Sequence, residues 1–253
     1  MIDLHSHILP ALDDGARDLA GAVGIARTAA ADGVRAIAAT PHVREDYPTA
    51  PNEMRAALGQ VKDAVAADGI EIEVLPGGEI ALPEAATLAA EELRAFGLGG
   101  NPDVVLVETP YWGWPLAFGD VVMRLRGLGI TPVLAHPERN TEVHNEPTLL
   151  APLVAAGALV QVTAASLDGR LGRRARTCAT RLLELELAHL LASDAHAPDL
   201  RAAGLSQARN SAGDELGRWL TEDVPAAIVA CEPIPPRPRP QHRRSLFARR
   251  RGR

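Results

Sequence analysis

The chain has 253 residues, enough for one or two domains, and its 47% hydrophobic and 23% charged residues are typical of a globular protein. No apolar run approaches the roughly 18 residues that a membrane-spanning helix needs, and the first residues lack the basic start of a secretory signal. Two cysteines are too few for a disulfide framework, and 3% aromatic residues exclude a surface that stacks nucleic-acid bases. We therefore expect a cytoplasmic protein that does not bind nucleic acid.

Charge is distributed unevenly along the chain. Residues 233–253 contain eight arginines and no acidic residue, which leaves residues 1–232 with a net charge of −14. The segment is also rich in proline and has little to bury, so we expect a folded domain over residues 1–232 and a disordered basic tail over 233–253. A solvated appendage is the simplest role for this tail, and contact with an anionic membrane surface or an acidic partner is the alternative.

Short apolar runs alternate with longer amphipathic stretches along residues 1–192. The apolar runs predict seven strands, at 2–4, 34–39, 70–75, 104–107, 131–135, 159–162 and 189–192. The stretches between them predict six helices, at 17–32, 51–68, 83–95, 116–128, 146–156 and 171–186. Strand and helix in alternation predict right-handed βαβ units and a parallel sheet, which is either an open doubly wound sheet or a closed β/α barrel.

Residues that commonly bind metals follow six of the seven predicted strands. They are His5 and His7, His42, Glu79, Glu108, His136, and Asp194 with His196. A single His or Glu at a strand end is more often a satisfied polar residue than a ligand. A barrel, however, brings the carboxyl ends of all its strands to one face, where active sites lie. The shared position therefore favours a closed barrel with a metal site at that face.

The spacing and chemistry of these residues indicate hard divalent ions. His5 and His7 are two residues apart on a strand, so both side chains face the same side. Imidazoles mixed with carboxylates suit Mn, Fe, Zn or Mg, and their number suits two or three ions. Asp13 and Asp14, in the loop before Gly15, are further candidates, although a turn is the alternative role for them and Asp18 is expected to cap the next helix.

Two arginines follow predicted ligands closely enough to bind a phosphate group. Arg139 lies three residues after His136, and Arg201 lies five residues after His196. A guanidinium pairs with two phosphate oxygens at once, although a surface ion pair is the alternative for each arginine. The aromatic cluster at 111–114 follows Glu108 and could form a wall for an aromatic substrate, with core packing as the alternative. Cys178 lies in a helical stretch and lacks the phosphate-binding loop of thiol phosphatases.

The motifs together resemble those of a known superfamily. DLHSHILPALDDGARD, ATPH, GGE, VVLVE, AHPER, ASLDG and SDAH are similar to motifs of the polymerase-and-histidinol-phosphatase (PHP) superfamily. Within it, they resemble the manganese-dependent bacterial tyrosine phosphatases of capsule and exopolysaccharide gene clusters. The resemblance implies a distorted, TIM-like (β/α)7 barrel with a trinuclear metal centre. The implied ligands are His5, His7, Glu79 and Asp194 for one metal, Glu79, Glu108 and His136 for a second, and Asp14, His42 and His196 for a third.

The resemblance also implies an activity. It predicts hydrolysis of phosphotyrosine on a tyrosine autokinase that controls polysaccharide export, with Arg139 and Arg201 binding the phosphate. We expect water activated by the metals to attack phosphorus directly, because no side chain is left in an obvious nucleophile position. Two alternatives remain open: a small-molecule phosphomonoesterase such as histidinol-phosphate phosphatase, and a weakly catalytic metal-binding regulatory scaffold.

Overall fold

The computed structural model describes residues 1–198 and 202–239, which form a mixed α/β fold as the sequence predicts. The strands are β1 (Ile2–Ser6), β2 (Ala36–Ala39), β3 (His42–Arg44), β4 (Tyr47–Pro48), β5 (Glu73–Leu75), β6 (Glu79–Ala81), β7 (Val104–Glu108), β8 (Thr131–Ala135), β9 (Leu159–Thr163) and β10 (Leu190–Ala192). The α-helices are α1 (Leu19–Ala31), α2 (Pro51–Ala67), α3 (Leu82–Thr87), α4 (Ala90–Ala95), α5 (Phe118–Gly127), α6 (Thr141–Asn145), α7 (Ala151–Ala155), α8 (Ala164–Leu167), α9 (Arg173–Glu184), α10 (Ser206–Ala212), α11 (Asp214–Arg218) and α12 (Val224–Val229). Short 3-10 turns cover Pro137–Arg139 and Pro147–Leu150, and a π-helical turn covers Trp219–Asp223.

The strands form two hydrogen-bonded sheets. The smaller sheet has the order β1-β2-β5, and the larger has the order β10-β9-β8-β7-β6-β3-β4. The pairs are parallel except for the short β3–β4 hairpin. Parallel pairing places the carboxyl ends of the strands at the same edge of each sheet, so residues at those ends can meet.

The two sheets meet where β1 runs beside β10. Ser6 forms an isolated parallel bridge with Ala195, the backbone N–H of His7 donates to the Ala195 carbonyl at 2.8 Å, and that of Asp194 donates to the His5 carbonyl at 2.9 Å. At the other side, the chain passes from β2 in the smaller sheet to β3 in the larger one through only two residues. These two connections bring the carboxyl edges of both sheets together.

The helices cover the sheets and bury an almost continuous apolar core. All five residues of β7 are buried, as expected for a parallel strand that is covered on both faces. On α2, Met54, Leu58, Val61 and Val65 are buried at a spacing of three or four residues, which places them on one helical face. The Asp18 side chain caps α1 by accepting a hydrogen bond from the Gly21 N–H at 2.8 Å, as the sequence predicts.

The structure differs from the predicted elements in three respects. Strands β3, β4 and β6 are absent from the prediction, because each is short and its sequence, HVR, YP or EIA, does not belong to an apolar run. The predicted helix at 83–95 is divided into α3 and α4, since Leu88 is extended and the Glu92 carboxylate caps the second helix by accepting from the Ala89 N–H. Helices α6, α8 and α10 to α12 were also not predicted. No helix in residues 1–198 and 202–239 is long and apolar enough to cross a membrane.

The start of the predicted basic tail contacts the folded domain. The indole N–H of Trp219 donates to the Pro235 carbonyl at 3.0 Å. The Arg237 guanidinium donates to the carbonyls of Ala188 and Leu183 at 2.6 and 2.9 Å, and it lies over the Trp219 ring. The boundary predicted at residue 232 therefore precedes a segment that is attached to the domain, and residues 240–253 of the predicted tail lie outside the described part of the chain.

Candidate metal centre

The fold brings the nine predicted metal ligands into one cluster. His5 and Glu108 lie in the carboxyl-terminal parts of β1 and β7, whereas His42 and Glu79 are the first residues of β3 and β6. Eight of the nine side chains are at most 10% exposed, whereas the Asp14 side chain is 42% exposed to solvent. Their ligand atoms form four overlapping groups within 4.8 Å. These groups are His7, Asp14, His42 and His196; His5, Glu79 and His136; His5, His7 and Asp194; and His42, Glu79 and Glu108. Glu79 occurs in two groups and lies between the two sides of the cluster.

The grouping agrees with the implied ligand sets in part. Asp14, His42 and His196 lie together, as do His5, His7 and Asp194. The implied set of Glu79, Glu108 and His136 does not form one group of that size. Instead, Glu108 lies with His42, and His136 lies with His5. The reason is that one oxygen of Glu79 faces His42 and the other faces His136.

Buried polar partners orient His5 in β1 and His7 just after it. Gln161 Oε1 lies 3.0 Å from His5 Nδ1 and accepts from the backbone N–H of His136 at 3.3 Å. Asp13 Oδ2 lies 2.7 Å from His7 Nδ1. Each partner is an acceptor, so Nδ1 of each imidazole carries a proton and Nε2 is the atom that faces the cluster. The two Nε2 atoms are 3.3 Å apart, which is the arrangement expected of imidazoles that share a cation.

The two adjacent aspartates therefore have different environments. Asp13 accepts from the ring of His7 and from the backbone N–H groups of His42 and Gly15, so it orients the loop and the imidazole. Asp14 Oδ1 lies 3.3 Å from His196 Nε2 and 3.5 Å from His42 Nε2. Gly15 allows this turn, because a Cβ atom there would lie 2.1 Å from the His7 carbonyl oxygen.

The centre of the cluster contains buried polar atoms that a cation would satisfy. His42 Nδ1 and Glu79 Oε2 form an ion-pair contact at 3.0 Å, but neither atom has a hydrogen bond of good geometry in the described residues. Glu79 Oε1 lies 2.8 Å from His136 Nε2. Leaving such atoms unpaired is costly, and imidazole and carboxylate donors together suit a divalent ion. The residues therefore fit the metal centre that the sequence predicts.

Protonation of the histidines shows how strongly negative this cluster is. Burial lowers the pKa of His42, but Asp14 and Glu79 outweigh it and raise this pKa to about 9. Burial likewise raises the pKa of Glu79, but His5 and His136 hold it well below its usual value. Positive charge is thus favoured at the centre of the cluster, whether it is carried by protons or by metal ions.

Two cluster residues adopt strained backbone conformations. His136 has φ +38° and Asp194 has φ +54°, in the left-handed region that residues other than glycine rarely occupy. His136 directly follows β8 and Asp194 lies two residues after β10, so the left-handed conformation redirects the chain just after each strand. Strain of this kind persists where the surrounding structure fixes it, and it is concentrated at functional sites.

Arg139 lies at the edge of the cluster. Its Nη1 donates to Asp194 Oδ2 at 2.6 Å, and its guanidinium lies 4.6 Å from the centre of the Tyr111 ring. Tyr111 in turn stacks on His136, and burial raises its pKa to about 12, so it is a neutral ring at physiological pH. The second predicted arginine, Arg201, lies outside the described residues.

The other residues that the sequence singled out do not join the cluster. Of the aromatic residues at 111–114, only Tyr111 stacks on a cluster residue, because Trp112 is 77% exposed and Trp114 packs on Phe118. Cys178 is buried in α9, and burial and Glu138 raise its pKa to about 12. A thiol with that pKa is protonated at physiological pH and is not a nucleophile.

Gln161 is the member of the site that the sequence interpretation missed. It lies on β9, which corresponds to the predicted strand at 159–162. Of the seven predicted strands, this one has no ligand-type residue at its end. The available signal was a fully buried amide in the apolar string LVQVT. Buried polar groups need partners, so an amide in such a run indicates a polar neighbour inside the fold.

The fold and the cluster define an α/β protein with a candidate metal centre at the carboxyl ends of parallel strands. The chain belongs to the capsular polysaccharide synthesis CpsB/CapC family, whose model matches residues 1–227. It is 36% identical to the tyrosine-protein phosphatase YwqE of Bacillus subtilis over 98% of this chain and 99% of the relative, and 30% identical to the putative tyrosine-protein phosphatase CapC of Staphylococcus aureus over 83% and 82%. A solved structure from work on YwqE and on CpsB of Streptococcus pneumoniae, described as unique metal-dependent tyrosine phosphatases, superposes with a TM-score of 0.86 at 36% identity and covers 94% of this chain and 99% of that one.

Proposed function

We propose that this protein is a metal-dependent protein tyrosine phosphatase that hydrolyses phosphotyrosine. The observation that carries the proposal is the buried cluster of nine His, Asp and Glu side chains beside Arg139, in a chain that belongs to the CpsB/CapC family. The relatives YwqE and CapC carry the same activity in their names. The cluster supplies the donors that such chemistry needs.

The nine side chains are the proposed ligands of two or three divalent ions. Manganese is the first choice, and iron, zinc and magnesium are alternatives with the same donor preferences. Ions in such a centre supply activated water and neutralise charge on the phosphate oxygens. The described residues place no cysteine in this cluster, since Cys178 is buried in α9 and Cys231 follows the end of α12.

The remaining residues of the site have distinct proposed roles. Asp13 and Gln161 fix the imidazoles of His7 and His5, so that the ligand atoms are in place before substrate arrives. Arg139 binds a phosphate oxygen that the ions do not reach, with Arg201 as its proposed counterpart. Tyr111 supports the Arg139 guanidinium and offers an aromatic face to the substrate ring.

The biological setting is proposed from the family. A phosphatase of the capsule-synthesis family acts on phosphotyrosine proteins, and we propose a tyrosine autokinase that controls capsular or exopolysaccharide synthesis as the substrate. The cytoplasm is the proposed location, because a chain with two cysteines and no disulfide framework suits a reducing compartment.

We also propose that the two sheets together form a distorted (β/α)7 barrel. The Ser6–Ala195 bridge between β1 and the end of β10 supports closure on one side. The short link from β2 to β3 supports it on the other, and the division of the strands into two hydrogen-bonded sheets is the distortion. A barrel accounts for the convergence of ligands from both sheets on one face.

The experiment that tests the function compares two substrates on the purified, manganese-loaded protein. We expect turnover of a phosphotyrosine peptide well above that of histidinol phosphate, and loss of turnover after chelation. His136→Gln should lose metal and activity, whereas His144→Gln, a histidine outside the cluster, should retain both. Preferred turnover of histidinol phosphate would instead indicate a small-molecule phosphatase, and metal binding without turnover of either compound would indicate a regulatory scaffold.

A further inference from the structure

Arg44 lies at the edge of the cluster opposite Arg139. It is the last residue of β3, two positions after His42, so both side chains leave the strand on the same side. Its Nη1 lies 3.4 and 3.5 Å from the two oxygens of Glu108. The Arg44 side chain is 28% exposed, so it contacts a cluster residue and is also accessible to solvent.

Two neighbours hold the Arg44 guanidinium in place. Asp46 lies outside it, with Oδ1 at 2.7 Å from Nε, and it accepts from Nη2 at 3.0 Å through Oδ2. Tyr47 lies beneath it, with the ring centre 5.2 Å from Cζ. These contacts use the outer edge and one face of the guanidinium, so Nη1 is left on the edge that faces the cluster.

The contact of Nη1 with Glu108 is too long to be a strong bond. Charge-assisted N–H···O bonds are typically about 2.7–2.9 Å long. Arg139, by comparison, binds Asp194 at 2.6 Å. The inner edge of Arg44 is therefore oriented but weakly engaged, which is the condition of a group that can accept an anion without first breaking a strong contact.

The surroundings of the two arginines match. Arg44 lies over Tyr47, which stacks on His42 with an interplanar angle of 18°, and Arg139 lies over Tyr111, which stacks on His136 with an angle of 13°. His42 and His136 lie against opposite oxygens of Glu79. The cluster is thus flanked on both sides by a guanidinium supported on a tyrosine ring.

From this arrangement we propose that Arg44 is a substrate-binding residue, which donates from Nη1 to an oxygen of the substrate phosphate on the side opposite Arg139. The inference rests on the proposed phosphatase function. Asp46 and Tyr47 are positioning residues for this guanidinium. A phosphate dianion held from two sides is fixed in orientation as well as in position, and such orientation contributes directly to the rate.

The test uses the full-length, manganese-loaded protein with Arg44→Ala and Arg44→Lys, and with Arg27→Ala as the matched control. Arg27, within α1, forms an exposed ion pair with Asp68, which directly follows α2. We expect Arg44→Ala to lower kcat/KM about 10- to 100-fold for both a phosphotyrosine peptide and p-nitrophenyl phosphate, with Lys restoring it only in part. Arg27→Ala should be unchanged.

A second readout does not depend on turnover. Calorimetric binding of inorganic phosphate to the metal-loaded protein should weaken about tenfold or more in Arg44→Ala, while metal content and melting temperature stay parental. If Ala lowers the melting temperature, Arg44→Gln, which keeps most of the side-chain length, takes its place. These readouts separate a binding role from a structural one, since a structural role would change metal content or melting temperature, whereas a binding role lowers phosphate affinity while both stay parental.

Three outcomes would overturn the proposal while leaving the phosphatase function in place. They are parental kinetics in Arg44→Ala, unchanged phosphate affinity, or a loss confined to the peptide substrate, which would place Arg44 against the peptide rather than the phosphate. Failure of the phosphatase function itself has a different signature, because the parental protein would then turn over neither substrate.

Discussion

Replacement of Gln161 by leucine should weaken metal binding, although it changes none of the proposed ligands themselves. Gln161 is fully buried, and its Oε1 receives two contacts, from His5 Nδ1 at 3.0 Å and from the His136 N–H at 3.3 Å. A backbone N–H can only donate, so this atom is the amide oxygen, and it fixes the proton of His5 on Nδ1. Leucine has a similar volume but no acceptor, and both donors would be left buried and unpaired.

The size of the effect follows from those two contacts. A buried donor left without a partner costs about 1–3 kcal/mol, and loss of the partner that orients a metal-binding histidine typically costs about 10- to 100-fold in metal affinity. We therefore expect Gln161→Leu to raise the manganese concentration for half-maximal activity by about that factor. At saturating manganese, turnover should largely recover, because all the ligands remain.

The assay is a titration with manganese of protein from which a chelator has removed the metal. Activity and calorimetric manganese binding are both measured during the titration. Gln60→Leu is the control, since Gln60 is exposed on α2 and the exchange is chemically the same. An unchanged manganese requirement in a folded Gln161→Leu protein would refute the reasoning. His5 would then hold its orientation without the amide, and the buried glutamine would have a packing role only.

Three further predictions concern other parts of the molecule. Arg139→Ala should lower kcat/KM for a phosphotyrosine peptide about 10- to 100-fold and leave metal content unchanged. Steady-state kinetics and metal analysis would check this. A parental rate would show that Arg139 has only a structural role, as the partner of Asp194 in an ion pair. Cys178→Ser should retain most turnover, because burial keeps this thiol protonated, whereas complete loss in a folded variant would indicate a thiol mechanism. Burial and Arg237 lower the pKa of His189 to about 4, and the neutral His189 ring accepts a hydrogen bond from the Val160 N–H. The neutral ring therefore contributes to the stability of the fold. This contribution is complete above the unfolded pKa of about 6.5 and is lost as pH falls towards 4. Denaturant titrations from pH 4 to 7 should show this slope, worth at most about 3 kcal/mol, and His189→Gln should flatten it; an equal slope in the variant would assign it to other groups.

The sequence predicted the parts of this fold that are long or chemically unusual. Each of the seven predicted strands overlaps a strand of the structure, because runs such as VVLVE are apolar along their whole length and are buried on both faces. Strands β3 and β6 escaped prediction because their three residues are held by pairing with neighbours rather than by a pattern of their own. That pairing is what places His42 beside Glu79.

The candidate site was predictable in its membership but not in its internal arrangement. His5, Glu79 and His136 share a position after strands, and this position alone brings them together. Which oxygen of Glu79 faces which histidine depends on side-chain packing, so the pairing of His42 with Glu108 could not be read from spacing. Arg44 and Gln161 carried no motif, and their roles follow only from the atoms around them.

The most direct test of the central claim is a titration of chelated protein with manganese, in which bound ions per chain and turnover of a phosphotyrosine peptide are measured on the same samples. The account predicts no turnover in the metal-free protein and a rise in turnover that follows the binding of two or three ions. Full turnover by the metal-free protein, or the binding of those ions with no turnover of the peptide, would contradict it.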